Sequence, residues 1–179
     1  MSKDFNMLFA GFGGQGVLFA GKISAYAGLY DEKNITWLPS YGPEMRGGTA
    51  NCSVCISDNP IGSPCVVSPN VFVALNLPSF EKFKDSVVSG GTMIVDSSMI
   101  PQKCSRTDIN IFYIPASQMA EENNIGRLSN IILLGKMFRE TQFCTEASLQ
   151  KALVSCIPPK KQHFLEPNQK ALQLGMDFV

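Results

Sequence analysis

Residues 7–17 read Met7-Leu8-Phe9-Ala10-Gly11-Phe12-Gly13-Gly14-Gln15-Gly16-Val17. An apolar run meets four glycines and amphipathic sequence follows at once, which predicts a buried strand, a tight turn and a helix start. The spacing Gly11-x-Gly13-x-x-Gly16 matches the fingerprint that brings helix-start amides up to a phosphate. Glycine permits positive φ and lets a backbone or ligand approach closer than a Cβ allows. A helix start also leaves N–H groups unpaired at its positive end, so an anion is a natural occupant. A purely structural strand–turn–helix corner would satisfy the same residues.

Outward from that corner, strand-like and helix-like segments alternate. A helix is expected from about 15 to 29, with Val17, Phe19, Ala20, Ile23, Ala27 and Leu29 on one broad buried face. Asp31 to Asn34 form a polar turn, and Ile35–Pro39 reads as a second strand. Thr49–Ile56 is a strand that pairs antiparallel with it, so a hairpin covers about 38–57. The proline-rich stretch from Asp58 to Pro69 is expected to lie extended, at an edge. Val71–Asn76 is an unbroken apolar run, the mark of a strand covered on both faces. Leu77-Pro78-Ser79 then opens a helix with Ser79 as its N-cap. Thr92–Asp96 and Ile109–Pro115 are further strands. Helices follow at Ser117–Asn123, Leu128–Phe138 and Thr145–Cys156, and a last one has Pro167 at its start and Gly175 at its end. The pattern predicts one α/β domain over residues 1–179, a largely parallel central sheet flanked by helices, with the antiparallel hairpin as an irregular insertion. Ligands of such sheets sit beyond the carboxyl ends of strands, where the glycine turn and the Asn76-Leu77-Pro78 turn both fall.

Two nucleotide readings of the opening motif fail on neighbouring residues. Dinucleotide folds place an acid at the carboxyl end of the second strand to bind ribose hydroxyls. Asp31 and Glu32 precede that strand, and its far end carries Pro39, Ser40 and Tyr41 instead. Gly16-Val17-Leu18-Phe19-Ala20-Gly21-Lys22 has P-loop spacing, but Ile23 stands where Ser or Thr must hold magnesium.

A second stretch, Leu38-Pro39-Ser40-Tyr41-Gly42-Pro43-Glu44-Met45-Arg46-Gly47-Gly48-Thr49-Ala50-Asn51, sets Tyr41, Glu44 and Arg46 between two turn signals. A loop so rich in glycine and carrying these polar groups reads as built to place them against something. A solvated surface hairpin is the other reading.

The bulk numbers exclude several classes. Formal net charge is zero over 179 residues and no basic run exceeds Lys160-Lys161. A nucleic-acid footprint is therefore missing. Apolar runs such as Ile131–Leu134 fall far short of the ~20 residues that span a bilayer. No signal-peptide pattern opens the chain, so a cytoplasmic protein with reduced thiols is expected. Cys52-x-x-Cys55 lies in a strand, which sends the two sulfurs to opposite faces and argues against a shared metal. The single His163 and the lack of a Gly-x-Ser-x-Gly elbow leave no hydrolase triad. Charged residues make up only 17% of the chain, below the usual ~25%. An anion-friendly turn without a catalytic set points to a subunit that contributes to a shared site.

Phe12-Gly13-Gly14-Gln15-Gly16-Val17, followed by Ser40-Tyr41-Gly42-Pro43-Glu44-Met45-Arg46-Gly47-Gly48, strongly resembles the gamma subunit, or gamma domain, of the 2-oxoacid:ferredoxin (acceptor) oxidoreductases. The resemblance runs over essentially the whole chain, including Asn76-Leu77-Pro78-Ser79 and Arg127-x-x-Asn130. The string Thr36–Cys52 is most similar to the 2-oxoglutarate-type and branched-chain-type members. The resemblance implies an assembly with alpha, beta and often delta chains that oxidatively decarboxylates a 2-oxoacid with coenzyme A. Electrons would pass to ferredoxin or another acceptor. Thiamine diphosphate, magnesium and iron–sulfur clusters would belong to the partner chains, with no cofactor on this one. Gly11, Gly13, Gly14, Gln15 and Gly16 then become candidates for an anionic group such as one on coenzyme A. Tyr41, Glu44 and Arg46 become candidates for contacts to partner subunits or the edge of the active centre. A stand-alone nucleotide-binding domain and a purely structural subunit are the alternatives.

Overall fold

The computed structural model of the protein describes residues 4–41 and 49–179. Its strands are β1 (Phe5–Phe12), β2 (Asn34–Tyr41), β3 (Thr49–Ser57), β4 (Val71–Ala74), β5 (Thr92–Asp96) and β6 (Asn110–Ile114). Its helices are α1 (Val17–Tyr30), α2 (Leu77–Phe83), α3 (Ala116–Glu122), α4 (Ser129–Thr141), α5 (Glu146–Cys156) and α6 (Leu165–Asp177). The strands form one sheet in the order β2-β3-β1-β4-β5-β6. β1, β4, β5 and β6 are parallel neighbours, and β3 runs antiparallel to both β1 and β2. The antiparallel hairpin expected at 38–57 is present with a longer first arm. β3 pairs with β1 along the whole length of β1, from Phe5↔Ile56 to Phe12↔Thr49, so the hairpin extends the sheet.

The two sheet faces are covered unequally. Phe9, Cys52, Val54, Val73 and Ile94 face a core built with residues of α1, α3, α4, α5 and α6. Leu8, Phe72, Met93 and Val95 face a smaller core closed by Phe80 of α2 and by Val87, Ile100 and Ile109. Taking each large apolar side chain out of water contributes about 1.5–3 kcal/mol. The strand alternation also separates the two nearby cysteines. Cys52 sits beneath α1, its thiol donating to the Val17 carbonyl at 3.7 Å, and burial pushes its pKa up to about 12. Cys55 points to the other face, toward the Ser63 carbonyl. The proline-rich stretch lies there as irregular chain, with Val66 N donating to Ser53 Oγ of β3 at 3.2 Å.

Four local expectations are corrected. Leu29, expected on the buried face of α1, is exposed. α2 is capped by Asn76, whose Oδ1 accepts from Ser79 N at 2.8 Å, so Ser79 is the third residue of the helix and not its cap. Asp31, expected to be solvated, accepts from Thr145 N and Oγ1 at 2.6 and 2.7 Å and joins the end of α1 to the start of α5. Gly175 lies inside α6 rather than at its end. Gly135 of α4 and Gly175 of α6 face each other's helices so closely that a Cβ on either would overlap a carbonyl oxygen of its neighbour, that of Leu172 or of Ile132. The glycine that reads as a stop signal is a packing residue.

Substituting Gly175→Ala should therefore cost about 1–3 kcal/mol or more through overpacking, read as a lowered midpoint of chemical unfolding. A second test concerns Asp31. Burial pushes its carboxyl up, but hydrogen bonds from Ser148 and Thr145 and the Lys33 charge outweigh this and hold it below the usual value. A depressed folded pKa contributes stability above the unfolded value of about 3.9, lost as pH falls through the folded one. Asp31→Asn should narrow the gap between unfolding midpoints measured at neutral and at strongly acidic pH. An unchanged pH profile would contradict the assignment.

Candidate functional site

β1 ends at Phe12 and the chain turns through Gly13–Gly16 into α1. Gly14 and Gly16 hold φ of 94° and 74°, the left-handed region in which glycine is at home. Gly16 N-caps α1 with no side-chain cap and no acid in the first turn, so no carboxylate of the helix's own first turn offsets its positive end. The glycines are not equivalent. A Cβ at Gly11 would press on Gln15 Oε1 and Leu75 Cβ at 2.7 and 2.9 Å, and one at Gly16 would meet Asn130 Cγ at 2.8 Å. Gly14 faces open space and is exposed. Gly11 and Gly16 thus serve close packing, and Gly14 lies on the open side of the turn.

Gln15 performs a different task from the one its position suggests. Its Oε1 accepts from Phe12 N at 2.6 Å and its Nε2 donates to the Leu75 carbonyl at 3.1 Å. The side chain is spent on tying the turn to the end of β4. On the other flank, Asn130 in the first turn of α4 is buried and its Nδ2 donates to the Gly16 carbonyl at 3.1 Å. α1 leaves β1 toward the larger core and α2 leaves β4 toward the smaller one. The turn therefore stands at a topological switch point of the sheet, the usual place for a ligand.

A cleft of about 770 Å³ opens from Gly13, Gly14 and Gln15 along the carboxyl ends of β5 and β6. Met99, Ser117, Glu121 and Arg127 line its remaining walls. Arg127, preceding α4, brings a cation to the same cleft. Sequence reasoning placed Arg127 only within a longer resemblance and did not find Ser117, Glu121 or the buried Asp96 behind them. An acid at the carboxyl end of a buried strand was the available signal for Asp96.

The second motif reaches the same end of the sheet. Tyr41 closes β2 paired with Ala50, Ala50 pairs with Gly11, and Thr49 pairs with Phe12. Thr49 thus adjoins the glycine turn, and Tyr41 stands two strands away at the same end of the sheet. Glu44 and Arg46 lie outside the described residues. Among the described residues no grouping of three His, Cys, Asp or Glu side chains is placed to hold a metal ion, and no helix is long and apolar enough to cross a membrane.

The profile of the pyruvate ferredoxin/flavodoxin oxidoreductase family matches residues 6–178. The chain belongs to that family. Among this family's members it is similar to the 2-oxoglutarate synthase subunit KorC of Methanocaldococcus jannaschii, 38% identical over all of this chain and 95% of the relative. It is 36% identical to the ketoisovalerate oxidoreductase subunit VorA of Methanothermobacter thermautotrophicus, over 98% of this chain but 36% of that longer one. The crystal structure of a keto/oxoacid ferredoxin oxidoreductase gamma subunit from Geobacter sulfurreducens superposes with a TM-score of 0.81 at 31% identity, covering 97% and 96% of the two chains. A 2-oxoglutarate:ferredoxin oxidoreductase from Magnetococcus marinus, with 2-oxoglutarate, coenzyme A and succinyl-CoA bound, matches with a TM-score of 0.86 at 25% identity. There this chain covers 30% of the other. The protein is a gamma-type chain of the 2-oxoacid:ferredoxin oxidoreductases, and its sheet, helices and hairpin are those of that family's gamma subunits.

Within this family member the turn should be intolerant of a side chain at Gly16. Gly16→Ala combines a left-handed φ, worth about 1–2 kcal/mol, with a collision against Asn130. Its thermal midpoint should fall well below that of Gly14→Ala, which carries the φ penalty without the collision. Equal midpoints would show that Asn130 does not hold the turn.

Proposed function

We propose that the chain is the gamma subunit of a 2-oxoglutarate:ferredoxin oxidoreductase and supports coenzyme A-dependent oxidative decarboxylation of 2-oxoglutarate to succinyl-CoA. The observation that carries the substrate is the full-length similarity to a 2-oxoglutarate synthase subunit. In this reading the chain assembles with alpha, beta and delta-type subunits and works in the cytoplasm as one domain. Thiamine diphosphate, magnesium and iron–sulfur clusters reside on the partners. The donor set agrees with that division, since Cys52 and Cys55 point to opposite faces and Cys144 is buried, its thiol pushed up by burial.

The chain's own contribution is binding and orientation. The amides of the Gly11–Gly16 turn, with Gly13, Gly14, Gln15 and Gly16 at its centre, and the Arg127 guanidinium receive a phosphate of coenzyme A. Gln15 acts through the shape of the turn. Tyr41, Glu44 and Arg46 contact the partner subunits or the edge of the active centre. A charged fraction of 17% suits a chain whose surface is partly covered in its working state.

Alone, the purified chain should oxidise no 2-oxoacid. Co-expressed with its partner chains it should support ferredoxin reduction, with 2-oxoglutarate giving a higher kcat/KM than pyruvate or 2-oxoisovalerate. Preference for 2-oxoisovalerate would favour the branched-chain reading that the VorA similarity carries. Turnover by the isolated chain would overturn the proposal.

A further inference from the structure

Asp96 ends β5 as a carboxylate only 1% exposed. Its Oδ1 accepts from Ser98 N at 3.1 Å and Ser117 N at 3.3 Å, and its Oδ2 accepts from Ser117 Oγ at 2.6 Å. A serine hydroxyl has one hydrogen and two lone pairs. With the hydrogen committed to Asp96, Ser117 has only lone pairs to turn toward the cleft it lines. Glu121 stands one helical turn further along the same wall and adds carboxylate oxygens, which also only accept. The glycine turn and Arg127 bring donors to the facing side, with amides and a guanidinium, while Asn124 and Ser129 can both donate and accept.

We infer that Ser117, set by Asp96, is a dedicated hydrogen-bond acceptor that selects ligands presenting an N–H group while their anionic group lies at the glycine turn and Arg127. Ser117 is the specificity residue and Asp96 its positioning residue. The inference rests on the coenzyme A reading above. Coenzyme A offers this chemistry from two sources, the purine amine and the pantetheine amides.

Asp96→Asn is the informative change because it is nearly isosteric. The carboxamide oxygen keeps the two backbone hydrogen bonds, while its NH₂ replaces Oδ2 and donates to Ser117 Oγ. The serine hydrogen is released toward the cleft, and an acceptor becomes a donor. The merely structural alternative, in which Asp96 only ties β5 to α3, predicts no change in ligand preference.

The test is equilibrium binding to the assembled complex of three probes: coenzyme A, deamino-coenzyme A with a carbonyl in place of the purine amine, and 4′-phosphopantetheine. Ser117→Ala and Asp96→Asn should each weaken coenzyme A about three- to tenfold, the range of one neutral hydrogen bond. If the purine amine is the donor, the preference for coenzyme A over its deamino form should vanish in Ser117→Ala and reverse in Asp96→Asn. If a pantetheine amide is the donor, all three probes should weaken together. Arg127→Ala separates this inference from the reading beneath it. Weakened binding in Arg127→Ala, with both other variants at wild-type affinity for every probe, overturns the role of Ser117 and leaves the coenzyme A site standing. Loss in Ser117→Ala with none in Asp96→Asn overturns the polarity assigned to Asp96. Wild-type affinity in all three variants overturns both. Should Asp96→Asn fail to assemble, the discrimination ratio in Ser117→Ala decides.

Discussion

The side-chain amide of Gln15 holds together two strand ends that the sheet itself leaves apart. β1 and β4 are parallel neighbours, and Leu75 N to the Ala10 carbonyl at 2.9 Å is the last backbone bond between them before their loops diverge to opposite faces. Gln15 spans the gap by accepting from Phe12 N and donating to the Leu75 carbonyl. An amide does this because it both donates and accepts; a carboxylate of the same length would set lone pairs against a carbonyl. Asn130 completes the brace from α4. The turn is thus shaped by the chain's own side chains.

That constraint explains why the glycines sit where they do. The Gln15 amide lies so near Gly11, and the Asn130 amide so near Gly16, that a side chain at either position has no room. Gly14 is set by backbone conformation alone, with φ of 94° and open space beyond. A motif that looks like a phosphate loop by spacing therefore has two causes. Gly11 answers to an amide that braces the turn, Gly16 to such an amide and to a left-handed φ, and Gly14, beside the spacing, to backbone conformation alone.

The legibility of the fold follows from the same distinction between local and distant causes. Strands such as Val71–Ala74 and Thr92–Asp96 were readable because an apolar run bounded by turn residues carries its own signal. Gly175 and Asp31 were misread because their partners, Ile132 and Thr145, are distant in sequence and no periodicity announces them. The position of β3 beside β1 was hidden for a related reason. A hairpin signal fixes the pairing of its two arms but not which other strand the second arm joins. For the candidate site, the glycine turn was visible and the opposite wall was not. Ser117 and Glu121 become a surface only when β6 delivers α3 beside the end of β5.

Thr49 reaches the end of β1 because β3 reverses direction. Running against β1, it begins where β1 ends, so Thr49 stands beside Phe12 and Tyr41 two strands away at the same edge. Had β3 joined the sheet in the parallel sense, Thr49 would stand at the opposite end of β1, remote from the glycine turn. The antiparallel run of β3 beside the first strand is thus the feature that sets Thr49 and Ala50 against Phe12 and Gly11. Around that corner the cleft is lined by Gly13, Gly14 and Gln15 on one side and by Ser117, Glu121 and Arg127 on the other, so a wall made by β1 and its turn faces one made by chain more than a hundred residues away.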